Sequence, residues 1–508
     1  MAQPFELVPH RALITVCLMI ATLMQALDST IANVALPYMQ GSLSATYDEI
    51  TWVLTSYVTA AAIMTAPVGW MATRFGRKRL FLACLIGFTV ASMMCGAAQS
   101  LPQMVVFRLM QGVFGAALVP LSQSTMLDIY PPAQRGTAMA IWGMGVMVGP
   151  ILGPTLGGYL TELYNWRWVF YVNLPFGILA VVGLSVFMPR TLPSASLRFD
   201  WTGFAVLALG IGALQMMLDR GQDQDWFSST EIIVEAVLAG LGIYLFAVHM
   251  LTAEKPFLPP GIFTDVNFLV SSCLMFAIGM VLLASSALMA PWLQNLANFP
   301  VETAGLVLAP RGIGTMGAML IGGRLSSRFD PRLFMALGVL LLCWSLYEMT
   351  GWTPDVARDV VVVNIIVQGA GLGFNFIPLQ VLAFATLPPA LRTDGTAFLS
   401  LTRNIGSAIG VSATSTLLTR NTQTLHEQIG SYVTPFNRAL YAFKMLDPGT
   451  PHGAAVLDRM VNQQAQIIAY VDSFKLLIFT SLPALLLLLL LRRPRMAAPS
   501  QETHAVME

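Results

Sequence analysis

Asp28 stands well inside the first long apolar run, Ala12 to about Leu36, roughly 24 Å along a helix from its start. A carboxylate at that depth is costly when charged and cheap when protonated. It can therefore be charged in one state and neutral in another, which is what a proton carrier requires. It is the only carboxylate well inside a helix of the first half, since Asp128 and Glu162 sit at helix ends. Arg108 lies about six residues into the fourth apolar run and needs a partner or water there. The plainer accounts stay open at this point: structural pairing for Asp28, and snorkelling to an interface for Arg108.

Further polar residues fall at membrane depth. They are Gln25 and Asn33 in the first run, Gln111 in the fourth, and Arg311, Asn375, Gln380, Arg403 and Asn404 in the second half of the chain. Intramembrane polar groups are functional candidates by default, although a single amide can equally be interhelical glue worth about 0.6 kcal/mol. Arg311 and Arg403 are harder to dismiss as glue, because they sit near mid-helix in corresponding places. Met and Phe, 29 and 28 residues, suit a pocket that accepts many shapes, but they are also ordinary lipid-facing and packing residues.

Two motifs concern packing and gating. Gly145, Gly149, Gly153 and Gly157 recur every four residues with Pro150 and Pro154 between them. Four-residue spacing stacks the glycines on one helix face, where another helix can approach closely; each proline removes a backbone donor and bends the helix. The loop from Gly69 to Leu80 contains Arg74, Gly76, Arg77, Lys78 and Arg79. Gly76 permits a tight turn, and the cations can meet acidic groups or helix ends.

These residues must be positioned by a membrane bundle. Of the 508 residues, 56% are apolar and only 10% are charged, far below the roughly 25% of a soluble protein. Apolar runs of about 20 residues recur, the length that crosses a bilayer core. The expected spans are 12–36, 49–71, 80–99, 102–126, 137–160, 168–188, 201–218, 231–251, 267–292, 302–323, 333–350, 359–384, 395–418 and 473–491. The first is too long for a signal peptide and shows no convincing cleavage site. Basic residues crowd one set of short loops, among them Arg74, Arg77, Lys78, Arg79, Arg135, Arg190, Arg198, Lys255, Arg324, Arg328, Arg332 and Arg392, while the opposite loops carry only Arg167, Arg220 and Arg358. The positive-inside rule makes the first set and both termini cytoplasmic. The segment 419–472 then faces outward, with one or two short helices expected in it, and docking of a partner is a better account of its length than a passive linker.

Gly69-Trp-Met-Ala-Thr-Arg-Phe-Gly-Arg-Lys-Arg79 is echoed by Gly322-Gly-Arg-Leu-Ser-Ser-Arg-Phe-Asp-Pro-Arg332, each after the second helix of a set of six. The expected fold is an all-α membrane protein of two six-helix halves, 1–188 and 267–491, with two inserted helices in 189–266 and a cytoplasmic tail, 492–508. Two halves around a central site are the architecture of alternating access.

Resemblance narrows this. Gly69 to Leu80 resembles the signature loop of the major facilitator superfamily, a latch that closes the cytoplasmic side. Thr73 stands where that family often has Asp, which leaves the latch without its usual acidic partner. Arg108-Leu-Met-Gln-Gly112 resembles the fourth-helix motif, and Gly149-Pro-Ile-Leu-Gly-Pro154 with Gly157-Gly158 the antiporter motif. Leu27-Asp-Ser-Thr-Ile-Ala-Asn-Val-Ala-Leu-Pro37 resembles the first-helix motif of fourteen-helix drug antiporters. Gln215-Met-Met-Leu-Asp-Arg-Gly221, Asp225-Trp-Phe-Ser-Ser229 and the stretch Asn165 to Gly177 resemble the EmrB type of exporter. That resemblance implies a proton antiporter of the bacterial inner membrane for lipophilic compounds, acting with a periplasmic adaptor and an outer-membrane duct. An exporter for one physiological solute, such as a fatty acid or siderophore, is the second reading within the same fold.

Other classes lack support. No Ser/His/Asp set, paired His or phosphate loop points to an enzyme or to ATP coupling. The five cysteines, all in apolar runs, show no metal or disulfide spacing, and neither a cofactor nor nucleic acid is called for. The two-half repeat and the buried charges disfavour a channel.

Overall fold

The computed structural model describes residues 9–189, 198–254, 256–325, 329–434 and 450–492, and all regular structure among them is helical. Arg190, Lys255, Arg328 and the tail residues Arg493 and Arg495 lie outside the described residues. The chain begins with α1 (Arg11–Ser42), a short α2 (Tyr47–Ile50), α3 (Trp52–Thr65) continued by α4 (Val68–Phe75), α5 (Arg77–Ala97), α6 (Leu101–Gly115) continued by α7 (Leu118–Ile129), α8 (Pro132–Leu163), and α9 (Trp168–Tyr171) continued by α10 (Asn173–Phe187). A hairpin of α11 (Trp201–Arg220) and α12 (Thr230–Thr252) follows. Then come α13 (Val266–Pro291), α14 (Val301–Leu308) continued by α15 (Pro310–Leu325), α16 (Pro331–Met349), α17 (Arg358–Ala383), α18 (Arg392–Gly430), α19 (Pro451–Ser481) and α20 (Pro483–Leu490).

Each expected span falls on a helix or a helix pair. Among the described residues eleven helices are long and apolar enough to cross a membrane, or twelve if the bent pair α3–α4 is one span. The expected spans 137–160 and 395–418 lie inside α8 and α18, of 32 and 39 residues, each longer than the roughly 20 residues a bilayer core requires. The expected single span 49–71 is bent by 59° between α3 and α4, where Pro67 has no amide to continue the ladder.

The repeat is visible in the packing. In the first set α1 lies along α8, α3 along α6 and α5 along α6; in the second, α13 lies along α18, α15 along α17 and α16 along α17. Small residues make equivalent contacts. A Cβ on Gly112 of α6 would stand 2.9 Å from Ala60 of α3, and one on Gly373 of α17 would stand 2.8 Å from Ala318 of α15. Without side chains at such points the backbones approach within van der Waals distance, which is how helices associate where lipid offers no hydrophobic drive. In the inserted hairpin Gly210 and Gly242 cross backbone to backbone. Its base is tied by His249 Nε2 to Asp200 Oδ2 at 2.8 Å, and its tip by Trp226 Nε1 donating to Thr416 Oγ1 of α18 at 3.0 Å.

The segment 419–472 departs from expectation. It holds no separate short helices among its described residues: α18 continues to Gly430 and α19 begins at Pro451, roughly 18 Å and 33 Å beyond the expected spans. The two extensions stay paired, with Asn421 donating to Asp472 at 3.1 Å and His426 Nε2 standing 3.4 Å from Asp458 Oδ1. The physical reason is that loss of apolarity marks the end of the bilayer, not the end of a helix; lateral packing carries the hydrogen-bond ladder into water. Residues 435–449, between them, lie outside the described residues.

Candidate functional site

The deepest polar cluster is built around Asp28. α1 presents this carboxylate to α6, and both Asp28 and Arg108 are 0% exposed. Arg108 Nη1 donates to Asp28 Oδ2 at 2.7 Å, and Gln111, one turn further along α6, donates from Nε2 to Asp28 Oδ1 at 2.8 Å. Asn173, at the start of α10, adds a third donor at 3.2 Å and holds Ser92 Oγ at 3.0 Å. Arg108 Nη1 also donates to Gln111 Oε1 at 2.8 Å, and its Nε to the Val53 carbonyl at 3.0 Å. The Tyr57 ring lies under the guanidinium, 4.3 Å from Cζ to centroid, and Gln25 donates to the Tyr57 hydroxyl at 3.3 Å. Five helices thus supply one network, and snorkelling of Arg108 does not occur. The network is not closed: Arg108 Nη2 and Asn173 Oδ1 are buried without a partner.

The glycine stripe of α8 backs the turn of α1 that carries Asp28. A Cβ on Gly149 would stand 2.8 Å from the Ala26 Cβ and 2.9 Å from the Leu27 amide nitrogen. One on Gly157 would stand 2.9 Å from Ile31, while Gly145 and Gly153 have no room beside Met19 and Thr30. The side chains of Pro150 and Pro154 lie outside the described residues. Towards the end of the bundle with the basic loops, α8 leaves α1 and crosses to the other half, where a Cβ on Gly136 would be 2.7 Å from the Gly323 carbonyl.

That basic end is bolted shut. Gly76 has φ 86°, a left-handed conformation that lets α4 turn directly into α5. Arg77 pairs with Asp128 of α7 and donates to Thr393 Oγ1 at 3.1 Å, and Arg392 Nη1 donates to the other oxygen of Asp128 at 3.0 Å. Asp128 therefore bridges cations from both halves and takes the acidic part that Thr73 cannot; the Thr73 hydroxyl merely bonds the Gly69 carbonyl of its own helix at 3.1 Å. Gly69 packs on Asp394, where any side chain would collide. Lys78 Nζ reaches the Ser185 and Met188 carbonyls at 2.8 and 2.6 Å, capping the negative end of α10. Arg74 also has a partner.

The remaining candidates separate. Asn33 is far from the cluster's hydrogen bonds, with its amide 3.5 Å from the Ser29 carbonyl of its own helix. Asn375 donates to the Gly371 carbonyl at 2.9 Å and packs in the seam between α16 and α17 beside Gly338. Gln380 and Arg403 line a narrow cleft between the halves with Gln123, Met275, Phe376 and Ser400. Asn404 follows Arg403 on α18 and is half-buried. Arg311 donates to Ser285, Ser286 and the Leu282 carbonyl, all on α13. A second cavity of about 210 Å³ opens at the other end, between α3 and α11, lined by Glu49, Trp52, Thr55, Asp219, Arg220 and Asp223.

Sequence reasoning passed over Asn173 as a donor, although it lies in the Asn165–Gly177 motif, and over Asp128 and Arg392 as a latch. Polarity at a helix start or end was the available signal.

Residues 18–411 match the Major Facilitator Superfamily. Multidrug export protein EmrB of Escherichia coli K12 is 37% identical over 439 residues, 85% of each chain, and the fatty acid resistance protein FarB of Neisseria gonorrhoeae is 34% identical over 472 residues, 91% of this chain and 92% of its own. Among solved structures, the human organic anion transporter MFSD10 superposes with a TM-score of 0.60 at 15% identity over 93% of this chain and all of that one, a likeness of fold alone. With its helical bundle and these matches, the chain is a multi-pass membrane transporter that belongs to the major facilitator superfamily, as an EmrB-type multidrug exporter.

Proposed function

We propose that export is driven by protons through Asp28, with lipophilic or amphipathic compounds moved from cytoplasm to periplasm across the inner membrane by a fourteen-span bundle. The carrying observation is the buried, incompletely satisfied pair of Asp28 and Arg108. A scaffold ion pair gains most when every polar atom is satisfied; one left with orphan donors and acceptors suits a site whose partners change between states. No nucleotide loop is available as an alternative energy source. The Asp128 latch holds the halves together at the end carrying most of the basic residues, which the positive-inside rule makes cytoplasmic. This conformation is then the one closed to the cytoplasm. The paired extensions of α18 and α19 reach outward on that reading and offer a docking post for a periplasmic adaptor that leads to an outer-membrane duct. The test is substrate-induced proton release from purified protein, compared between wild type and Asp28→Asn. Release and transport unchanged in the variant would make Asp28 structural and return Glu348 and Glu302 as carriers; the side chain of Glu302 lies outside the described residues.

A second reading, an exporter devoted to one physiological solute such as a fatty acid, is favoured by the 34% identity to a protein named for fatty acid resistance. Transport of a lipophilic panel alongside fatty acids in the same vesicles separates the two.

A further inference from the structure

Protonation changes a carboxylate from a group that only accepts hydrogen bonds into one with a hydrogen to give. At Asp28 that hydrogen needs a recipient, and the side chains bonded to it are all donors. Arg108 Nη1 meets Oδ2 at 2.7 Å, while Gln111 Nε2 and Asn173 Nδ2 meet Oδ1 at 2.8 and 3.2 Å. Gln111 cannot turn over to receive it, because its Oε1 already accepts from Arg108 at 2.8 Å. The other titratable groups around the carboxylate are engaged as well. Cys95 of α5 donates from Sγ to the same Gln111 oxygen at 3.6 Å, and Tyr57 of α3 lays its ring on the guanidinium and takes Gln25 on its hydroxyl. α8 meets this turn of α1 with Gly149 and Gly153. Among the side chains bonded to Asp28, the uncommitted acceptor is Asn173 Oδ1, buried without a partner.

The fold holds the Asn173 backbone and leaves its amide one freedom. Pro175 has no amide hydrogen for the Tyr171 carbonyl, and the helix breaks there between α9 and α10. Along the seam with α5, Gly177 lies against Thr89 and Gly96 against Tyr171, with no room for a Cβ at either glycine. Between these contacts Ser92 Oγ accepts from Asn173 at 3.0 Å and donates to the Phe170 carbonyl at 2.8 Å. Sliding is blocked, but the terminal torsion of an asparagine is broad and two-fold, and its oxygen and NH2 are nearly equal in size.

In the orientation seen, the amide gives its hydrogens to Asp28 and Ser92 and its oxygen is the orphan. Turned over, the oxygen faces Asp28 Oδ1 and the NH2 is the orphan. The first arrangement suits a charged carboxylate and the second a protonated one. A hydroxyl at Oδ1 can donate to Asn173 while its oxygen still accepts from Gln111, so the rest of the network stays in place. We propose that Asn173 is a positioning residue for the transported proton, its amide turning over when Asp28 is protonated so that it holds the carboxylate in one state and the acid in the other. This rests on the proton-driven reading above and names the partner that changes between states. The turn also presents Ser92 with an acceptor in place of a donor and draws its hydroxyl off the Phe170 carbonyl, so the change reaches the break between α9 and α10.

A fixed donor and a turning amide predict opposite signs for Asn173→Leu, which is close to asparagine in shape. A donor serving only the carboxylate favours the charged form, so its loss would move proton binding to higher pH. A turning amide is the recipient for the hydrogen of the acid, whereas the carboxylate keeps Arg108 and Gln111 without it. Its loss therefore costs the protonated form more, and proton binding should move to lower pH by about one unit.

The measurement is infrared difference spectroscopy against pH on the purified full chain in nanodiscs, following the protonated carboxyl band that Asp28→Asn lacks. In wild type with carbon-13 in the asparagine side-chain carbonyls, one labelled band should shift with the same midpoint and be still in Asp28→Asn; this needs no Asn173 variant to fold. A midpoint that rises or stays in Asn173→Leu overturns the proposal, and so does a labelled carbonyl that ignores pH. Carboxyl and asparagine bands that titrate together in a protein that moves no compound under a pH gradient overturn the proton-driven reading and leave the turning amide standing. Driven transport with a silent asparagine does the reverse.

Discussion

Asp28→Asn tests the energetic logic of the cluster. The wild-type carboxylate accepts from Arg108 at 2.7 Å, Gln111 at 2.8 Å and Asn173 at 3.2 Å. An asparagine can place its carbonyl oxygen against only one side of this ring of donors. Its amide then points at the amide of Gln111 or Asn173, or at Arg108. Turning Gln111 over does not help, because its Oε1 already accepts from Arg108 at 2.8 Å and the flip would aim its NH2 at the guanidinium. The variant therefore buries a cation that cannot be deprotonated, supported by the Val53 carbonyl, the Gln111 amide oxygen and the Tyr57 ring but by no counter-charge. Removing one partner of a buried pair costs about 3–5 kcal/mol, and the absence of a good amide arrangement argues for the full range. The reverse change, Arg108→Gln, should cost less, since the remaining carboxyl can take up a proton and keeps the donors of Gln111 and Asn173. Combining the two removes both charges, so the double variant should be more stable than the sum of the singles by about 0.5–3 kcal/mol. Reversible unfolding of the purified protein in mixed micelles, followed by tryptophan fluorescence, reads all four members of the cycle. Additive single and double variants, or an Asp28→Asn protein as stable as wild type, would refute the reasoning.

Other outcomes follow from the packing and the latch. Gly149→Leu should insert normally but abolish transport, because even the Cβ would meet the Leu27 amide at 2.9 Å; drug efflux measured in intact cells at matched expression decides it. Asp128→Asn should release Arg77 and Arg392 together, and a cysteine placed at Ser400 should then label from the cytoplasmic side several-fold faster than in the latched protein. Replacing 425–465 with a short Gly/Ser linker should leave the purified bundle intact, since Asn421 and Asp472 already stand 3.1 Å apart at the join, while whole-cell resistance falls; full resistance would make the extension dispensable.

The bundle was legible because bilayer thickness writes itself into the sequence as apolar runs of about 20 residues, and each such run falls on helix. What the runs do not encode is where a helix stops once it leaves lipid, hence the unexpected reach of α18 and α19. The glycine stripe announced a close approach but not its target, the turn of α1 bearing Asp28. Asp128 was discounted for standing at a helix end, and its partners Arg77 and Arg392 are 51 and 264 residues distant, beyond the range of local pattern. Asn375 was legible as a polar residue at membrane depth, but its place in the seam beside Gly338 was not, because that contact is set by packing between α16 and α17.

One helix joins the Asp28 cluster to the seam between the two halves. α8 grips α1 through Gly145, Gly149, Gly153 and Gly157, and its other end lies against α15 through Gly136 and Gly323. The grip is on the α1 backbone at Gly149, while Gly145 and Gly153 press on the side chains of Met19 and Thr30, so a shift of α8 bears directly on this face of α1. If the halves part at Gly136, α8 tilts, and the turn of α1 pinned beneath the stripe must tilt with it or lose contact. Asp28 lies on that turn, between Leu27 and Thr30, while Arg108, Gln111 and Asn173 are held by α6 and α10. On the proposed function, opening at Gly136 would displace the carboxylate relative to its donors, and a change in how those donors hold Asp28 would be felt at the seam between the halves. A coupling of this kind needs no chain of polar residues through the protein; a stripe of glycines and one long helix suffice.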